Sequence, residues 1–228
     1  MGSTRDVARA PTGGRSRPPA ASRALERELA EMGYSAVAGV DEAGCGALAG
    51  PVVAGAVIID PDVSIAHLTD SKLLCPADRR QLLVELQSLS RAWAMALVLP
   101  ADIDRINIYQ ARMRAMSHAV AGLAVPADFA VIDGPAAPPL NIPAKPIVDG
   151  DRKCRVVAAG SIVAKVMRDA IMDQLDALYP EYGFAAHKGY ASRQHLDAIE
   201  RCGPSPVHRM SFAPMNRLLQ CSMDFGDA

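Results

Sequence analysis

Three short apolar runs in this chain, AVAGV at 36–40, DFAVI at 128–132 and KPIVD at 145–149, each give way within two residues to a carboxylate: Asp41, Asp133 and Asp151. Runs of about five residues bounded by turn formers read as buried strands, because helices need about ten or more. A strand that ends at an acid delivers that acid to the C-terminal edge of a sheet, where open α/β sheets carry their chemistry. Glu42 follows Asp41 directly, which adds a fourth acid. Each of these residues alone is an ordinary turn or helix-start residue. Their joint position at strand ends is what argues for a site.

The remaining pattern supplies the rest of a sheet. PVVAGAVII at 51–59 follows the first run after only about ten residues, too short for a parallel crossover, so these two strands pair antiparallel. A third strand, RAWAMALVL at 91–99, comes after CPADRRQLLVELQSL, whose leucines recur at helical spacing. Apolar residues at i, i+3 and i+4 predict a helix over 108–123, and a long apolar helix over 156–178. Helices are also expected at about 22–32, after Ser192 as cap, and around 213–221, with a Pro-rich loop at 135–146. Met95, Met113, Met116, Met167 and Met172 are expected as core packing. The expected fold is a mixed five-stranded α/β sheet flanked by helices. If its first and fourth strands are parallel neighbours, Asp41 and Asp133 lie side by side.

Charge and cysteine content exclude other classes. Lys plus Arg number 24 against 25 for Asp plus Glu, so any basic surface for a polyanion must be local. The five cysteines form no CxxC pair and have no histidine at zinc spacing, which argues against a disulfide framework or a zinc centre. Residues 1–22, rich in Arg, Pro, Ser, Gly and Ala, read as a disordered basic tail without an apolar segment for a signal or a membrane span. Residues 23–222 read as one domain, expected to be a cytoplasmic monomer with no membrane partner.

Carboxylates held close together repel, raise one another's pKa and destabilise a fold unless a cation joins them. Mg²⁺ and Mn²⁺ accept hard oxygen ligands and retain water. Two such ions about 3.5–4 Å apart stabilise the attacking and the leaving oxygen of a phosphoryl displacement, and four carboxylates suit that arrangement. A small-phosphate hydrolase would use similar acids, but no GxxxxGK[ST] loop occurs. A nucleic-acid binder that no longer cuts is the other reading, and four intact acids speak against it.

The words GVDEAGCGALAGPV, LTDSKLL, IDRINIYQARMRAM, VIDGP, VDGDRKCRVVAAGSIVAKVMRD, YPEYGFAAHKGYASRQH and HRMSFAP occur in that order between Ala36 and Pro214. Together they resemble bacterial ribonuclease HII, the type 2 ribonuclease H. The resemblance implies a ribonuclease H-like fold with a C-terminal helical extension over about 180–222. It also implies endonucleolytic cleavage of RNA in RNA–DNA hybrids and at ribonucleotides embedded in duplex DNA, leaving 3'-hydroxyl and 5'-phosphate ends. The family's metal ligands match Asp41, Glu42, Asp133 and Asp151 for Mg²⁺ or Mn²⁺, with Asp41 bridging two ions, while Asp169 is expected in a salt bridge. Substrate contacts carried over are Gly44, Cys45 and Gly46, whose backbone reads the 2'-hydroxyl, and Tyr190 at the junction. Lys72, Asn107 and Lys188 are candidate phosphate contacts. One departure stands out: the family word reads Gly-Arg-Gly where this chain has Gly44, Cys45, Gly46, which removes a guanidinium able to hold phosphate.

Overall fold

In a computed structural model, residues 20–215 of the chain are described. The elements run α1 (Ala24–Glu31), β1 (Val37–Ala43), β2 (Val52–Ile58), α2 (Pro76–Leu89), β3 (Ala92–Val98), α3 (Pro100–Ala121), β4 (Phe129–Asp133), β5 (Ala144–Ile147), α4 (Gly150–Lys153), α5 (Arg155–Leu178), α6 (Phe184–His187) and α7 (Arg193–Cys202). Single 3₁₀ turns precede α2, at Ser71–Leu73, and α6, at Pro180–Tyr182. The sheet order is β3-β2-β1-β4-β5, with β1–β2 and β2–β3 antiparallel and β1–β4 and β4–β5 parallel. The mixed five-stranded sheet expected from the sequence is therefore present, and β1 and β4 are parallel neighbours.

Strand alternation sends the two faces of the sheet into separate cores. Ala38 and Val40 of β1 pack with Ala54 and Ala56 of β2 against Ala111, Ala115 and Met116 of α3. On the other face, Val57 and Val131 pack against Val156, Ala159 and Val163 of α5, with Leu82 and Leu86 of α2. A third cluster joins Leu48, Met172, Phe184 and Ile199 and seats the C-terminal helices. Met113, Met116 and Met172 are buried, and Met95 and Met167 pack against the α5-side core, as expected of core methionines.

Backbone contact sets how close α5 lies. A Cβ on Gly39 would stand 2.0 Å from the Val156 carbonyl carbon, and one on Gly55 would stand 2.4 Å from the Gly160 oxygen. Only glycine lets the two central strands and this helix touch main chain to main chain.

Several boundaries differ from the sequence reading. β1 continues through Asp41 and Glu42 to Ala43, because β2 stays paired with it as far as Ala43–Val53, whereas its ladder with β4 ends at Val40–Ile132. β5 ends at Ile147; Asp149 then takes a left-handed conformation and opens α4, so Asp151 sits on a short helix and not at a strand end. The helix expected from residue 108 begins at Pro100 and kinks at Asn107, whose φ is 65° and whose Oδ1 accepts the Gln110 N–H at 3.1 Å. Residues 20–22 of the expected tail belong to the fold: the buried Ala21 donates its N–H to the Leu68 oxygen at 2.8 Å, and Ser22 bridges to Cys154. The rest of the tail and the expected helix past residue 215 lie outside the described residues. Among the described residues, no helix is long and apolar enough to cross a membrane.

Candidate active site

The site forms where β1 and β4 part. Beyond Val40 one edge of β1 is free of β4, and Asp41 and Glu42 occupy that gap opposite Asp133, the last residue of β4. Alternation turns Asp41 toward the α5 side, where Gly160 lies close to its backbone, and Glu42 toward Arg112 of α3. Ligand oxygens of Asp41, Glu42 and Asp133 all lie within 4.8 Å of one another.

Little in the protein neutralises this group. Burial, then Glu42, then Asp133 push the Asp41 carboxyl well above the usual carboxylate range; the Glu42 N–H, 2.6 Å from Asp41 Oδ1, and the Ser161 hydroxyl act the other way. Burial also raises Glu42, against the pull of Arg112, whose Nε is 3.4 Å from Glu42 Oε1. Glu42 Oε2 is buried with no hydrogen-bond partner among the described residues. Asp133 Oδ1 accepts the Gly150 N–H at 2.7 Å, which ties the start of α4 to the acids.

Asp151 stands beside this trio and outside its 4.8 Å circle. It is 4 % exposed, its pKa is raised by burial and by Asp70, and its Oδ2 lies 3.7 Å from Lys72 Nζ. Asp70 caps the Ser71–Leu73 turn through the Lys72 N–H and takes an ion pair from Arg152 at 3.0 Å, so the loop bearing Lys72 and the helix bearing Asp151 are clamped together.

An open cleft runs from Asp41 and Glu42 past the Gly44–Gly46 backbone to Lys72 and Tyr190. Tyr190 is 41 % exposed. Two of the candidate phosphate contacts are placed elsewhere: Lys188 Nζ pairs with Asp173, and Asn107 is exposed at the α3 kink and does not line the cleft. Asp169 pairs with Lys165 at 2.7 Å, as expected of a structural acid.

Cys45 turns inward. Its Sγ donates to Glu42 Oε1 at 3.5 Å, it packs against the α3-side core, and burial with the Glu42 charge pushes its thiol up to about 12. A thiol so raised stays protonated at neutral pH and is a poor redox centre.

Sequence reasoning assigned no role to Arg112, Arg168 or Arg209. All three lie inside the quoted family words, which was the only signal available for them.

A mixed sheet whose central parallel strands part around clustered, underneutralised carboxylates, beside a cleft floored by glycine backbone, defines a metal-dependent phosphodiester hydrolase of the ribonuclease H class. Comparison with known proteins narrows the class. The ribonuclease HII family model matches residues 38–215. The chain is 48% identical over 194 residues to ribonuclease HII of Desulfitobacterium hafniense strain Y51, covering 85% of this chain and 75% of that protein. It is 48% identical over 188 residues to ribonuclease HII of Vibrio vulnificus strain YJ016, covering 82% and 91%. Among solved structures, ribonuclease H2 from Pyrococcus horikoshii OT3 superposes with a TM-score of 0.70 at 26% identity, over 82% of this chain and 98% of that one. The chain belongs to the ribonuclease HII family. Its activity is that of the family, metal-dependent endonucleolytic hydrolysis of the RNA strand of RNA–DNA hybrids.

Proposed function

We propose that Asp41, Glu42 and Asp133 hold the divalent ions of this ribonuclease, with Asp151 joining from α4, and that the chain also cuts at ribonucleotides embedded in duplex DNA. The observation that carries this reading is the convergence of three carboxylates within 4.8 Å. The donor set fits Mg²⁺ or Mn²⁺: every group is a hard oxygen, and Glu42 Oε2 is buried without a partner. When bound, such ions supply a polarised water and charge stabilisation at the departing 3'-oxygen, leaving a 5'-phosphate on the other product.

The remaining residues bind and orient. Gly44 and Gly46 let the backbone approach the ribose closely enough to exchange hydrogen bonds with a 2'-hydroxyl, the group that distinguishes RNA from DNA. Tyr190 faces the same cleft and offers its ring to the sugar at the ribonucleotide–deoxyribonucleotide junction. Lys72, its side chain 78% exposed, is free to turn its ammonium from Asp151 to a phosphate. Arg112 steadies Glu42 by charge and its guanidinium reaches the Asp133 carbonyl oxygen at 3.4 Å, so one cation braces two of the acids.

Asp133→Asn keeps the shape of the side chain and removes its charge. It is expected to abolish cleavage of a hybrid and weaken calorimetric binding of Mn²⁺ while leaving the circular dichroism spectrum unchanged; full cleavage by this variant would remove Asp133 from the site.

A further inference from the structure

Arg168, on α5, is completely buried, yet its hydrogen bonds all go to backbone carbonyls. Nε donates to the Pro51 oxygen at 3.0 Å and Nη2 to the Ala49 oxygen at 3.2 Å, both in the loop that follows β1. Nη1 donates to the Lys188 oxygen at 3.0 Å, across the cleft mouth in the loop that carries Tyr190. The guanidinium carbon also lies 5.4 Å from the centroid of the Tyr190 ring, within cation–π range. One planar fork thus joins the two loops that flank the cleft and sits against the ring facing it.

The glycine pattern is built around this side chain. Gly44 has φ of 94°, and a Cβ there would stand 1.9 Å from Arg168 Nε. A second buried guanidinium, Arg209, holds the same loop from its other side, donating to the Cys45 oxygen at 2.9 Å and the Gly50 oxygen at 3.0 and 2.9 Å. Leu48 N–H to the Gly189 oxygen, at 2.8 Å, completes the seam between the loops. Carbonyl dipoles satisfy the donors of Arg168 without cancelling its charge, and burying a charge in that way is costly. A core residue chosen for stability alone has cheaper apolar substitutes.

We infer that Arg168 is a positioning residue for substrate: it locks the Gly44–Pro51 loop to the Lys188–Tyr190 loop and fixes the Tyr190 ring, so that the surface reading the ribose is set before the nucleic acid arrives. This rests on the reading above that Gly44–Gly46 and Tyr190 face the ribonucleotide. It assigns Arg168 no contact with the reacting atoms, since its bonds end at the loops and the acids lie beyond them. Preorganisation of this kind lowers the cost of ordering the site on binding.

The test is a two-background comparison. Arg168→Lys keeps the charge and loses the fork that reaches three carbonyls. In the otherwise native chain it should raise KM for an RNA–DNA hybrid about tenfold with kcat within about twofold, and in a Tyr190→Ala background the factor should fall to about threefold, what remains being the part that acts through the Gly44–Pro51 loop. Equal factors in both backgrounds, or a loss confined to kcat, would overturn the inference. If Arg168→Lys does not fold, Arg168→Gln carries the same comparison, and failure of both to fold makes Arg168 a folding residue and overturns it as well. Should the native chain not cut the hybrid, the functional reading fails; the positioning role is then read separately from hybrid affinity with divalent ions chelated.

Discussion

At Asp41, burial and the charges of Glu42 and Asp133 all disfavour the ionised carboxyl. A residue kept there at neutral pH costs the metal-free fold stability, and removing its charge should return it. Asp41→Asn is therefore expected to raise the melting temperature of the chelated protein while eliminating cleavage; a lower melting temperature would show that the acid is structural. Cys45 makes a different prediction. With its thiol turned to Glu42, no cation projects from the Gly44–Gly46 backbone toward a phosphate. Cys45→Arg should tighten hybrid binding and steepen its salt dependence by about one unit of log–log slope. Anisotropy titrations at several salt concentrations would read this, and identical slopes would count against it. Asp133 was legible because a carboxylate at a strand end is a local pattern, and Asp41 and Glu42 because they close an apolar run, whereas Asp151 proved to sit on the short helix α4. Arg112 was not, since its role depends on where α3 crosses the sheet, which no single stretch of sequence encodes.

Legibility falls off where an element's limits depend on its neighbours. The existence and order of the five strands followed from short apolar runs, but β1 outlasted its apolar residues because β2 continued to pair with it. The first turns of α3 were missed because the apolar period resumes only after the Asn107 kink. The glycines where β1 and β2 meet α5, Gly39 and Gly55 on the strands and Gly160 on the helix, matter at this scale too. A Cβ on Gly160 would lie 2.9 Å from the Gly39 oxygen, so Gly160→Ala is expected to push α5 off the sheet and cost about 1–3 kcal/mol or more in a urea melt; an unchanged midpoint would mean that the contact relaxes freely.

The C-terminal helices are joined by a histidine relay that the sequence showed only as scattered residues. His195 Nδ1 donates to the Tyr190 oxygen at 2.9 Å, which leaves Nε2 to accept from His208 Nε2 at 3.0 Å, and His208 Nδ1 in turn accepts from the Ser205 N–H at 2.9 Å. Both rings are neutral in this arrangement, and His187 stacks on His195 at 4.3 Å. Burial and the neighbouring His195 lower His208 from 6.5 to about 4. Because the folded value is the depressed one, this stabilisation is complete above pH 6.5 and is lost as pH falls toward 4. Denaturation midpoints should drop across that window, and His208→Gln should flatten the drop; an equally steep fall in the variant would place the sensitivity elsewhere.

Over the whole molecule, balanced charge leaves recognition of a polyanion to local features, in the proposed reading Lys72 at the cleft and cations held by the acids, while the carbonyl-bound Arg168 and Arg209 hold the loops beneath. On the same proposed reading, discrimination lies in the glycine backbone and Tyr190, and cleavage in Asp41, Glu42, Asp133 and Asp151. The order of the quoted words along the chain carries that reading, whereas the clamps between loops required the fold. The most direct measurement uses a DNA duplex bearing one ribonucleotide beside the same duplex made wholly of DNA. The predicted result is a single cut at the ribonucleotide with Mg²⁺ or Mn²⁺, ending in 3'-hydroxyl and 5'-phosphate, none with chelator, and none in the all-DNA duplex. Cleavage of the all-DNA duplex, or cutting that persists without divalent ions, would contradict it.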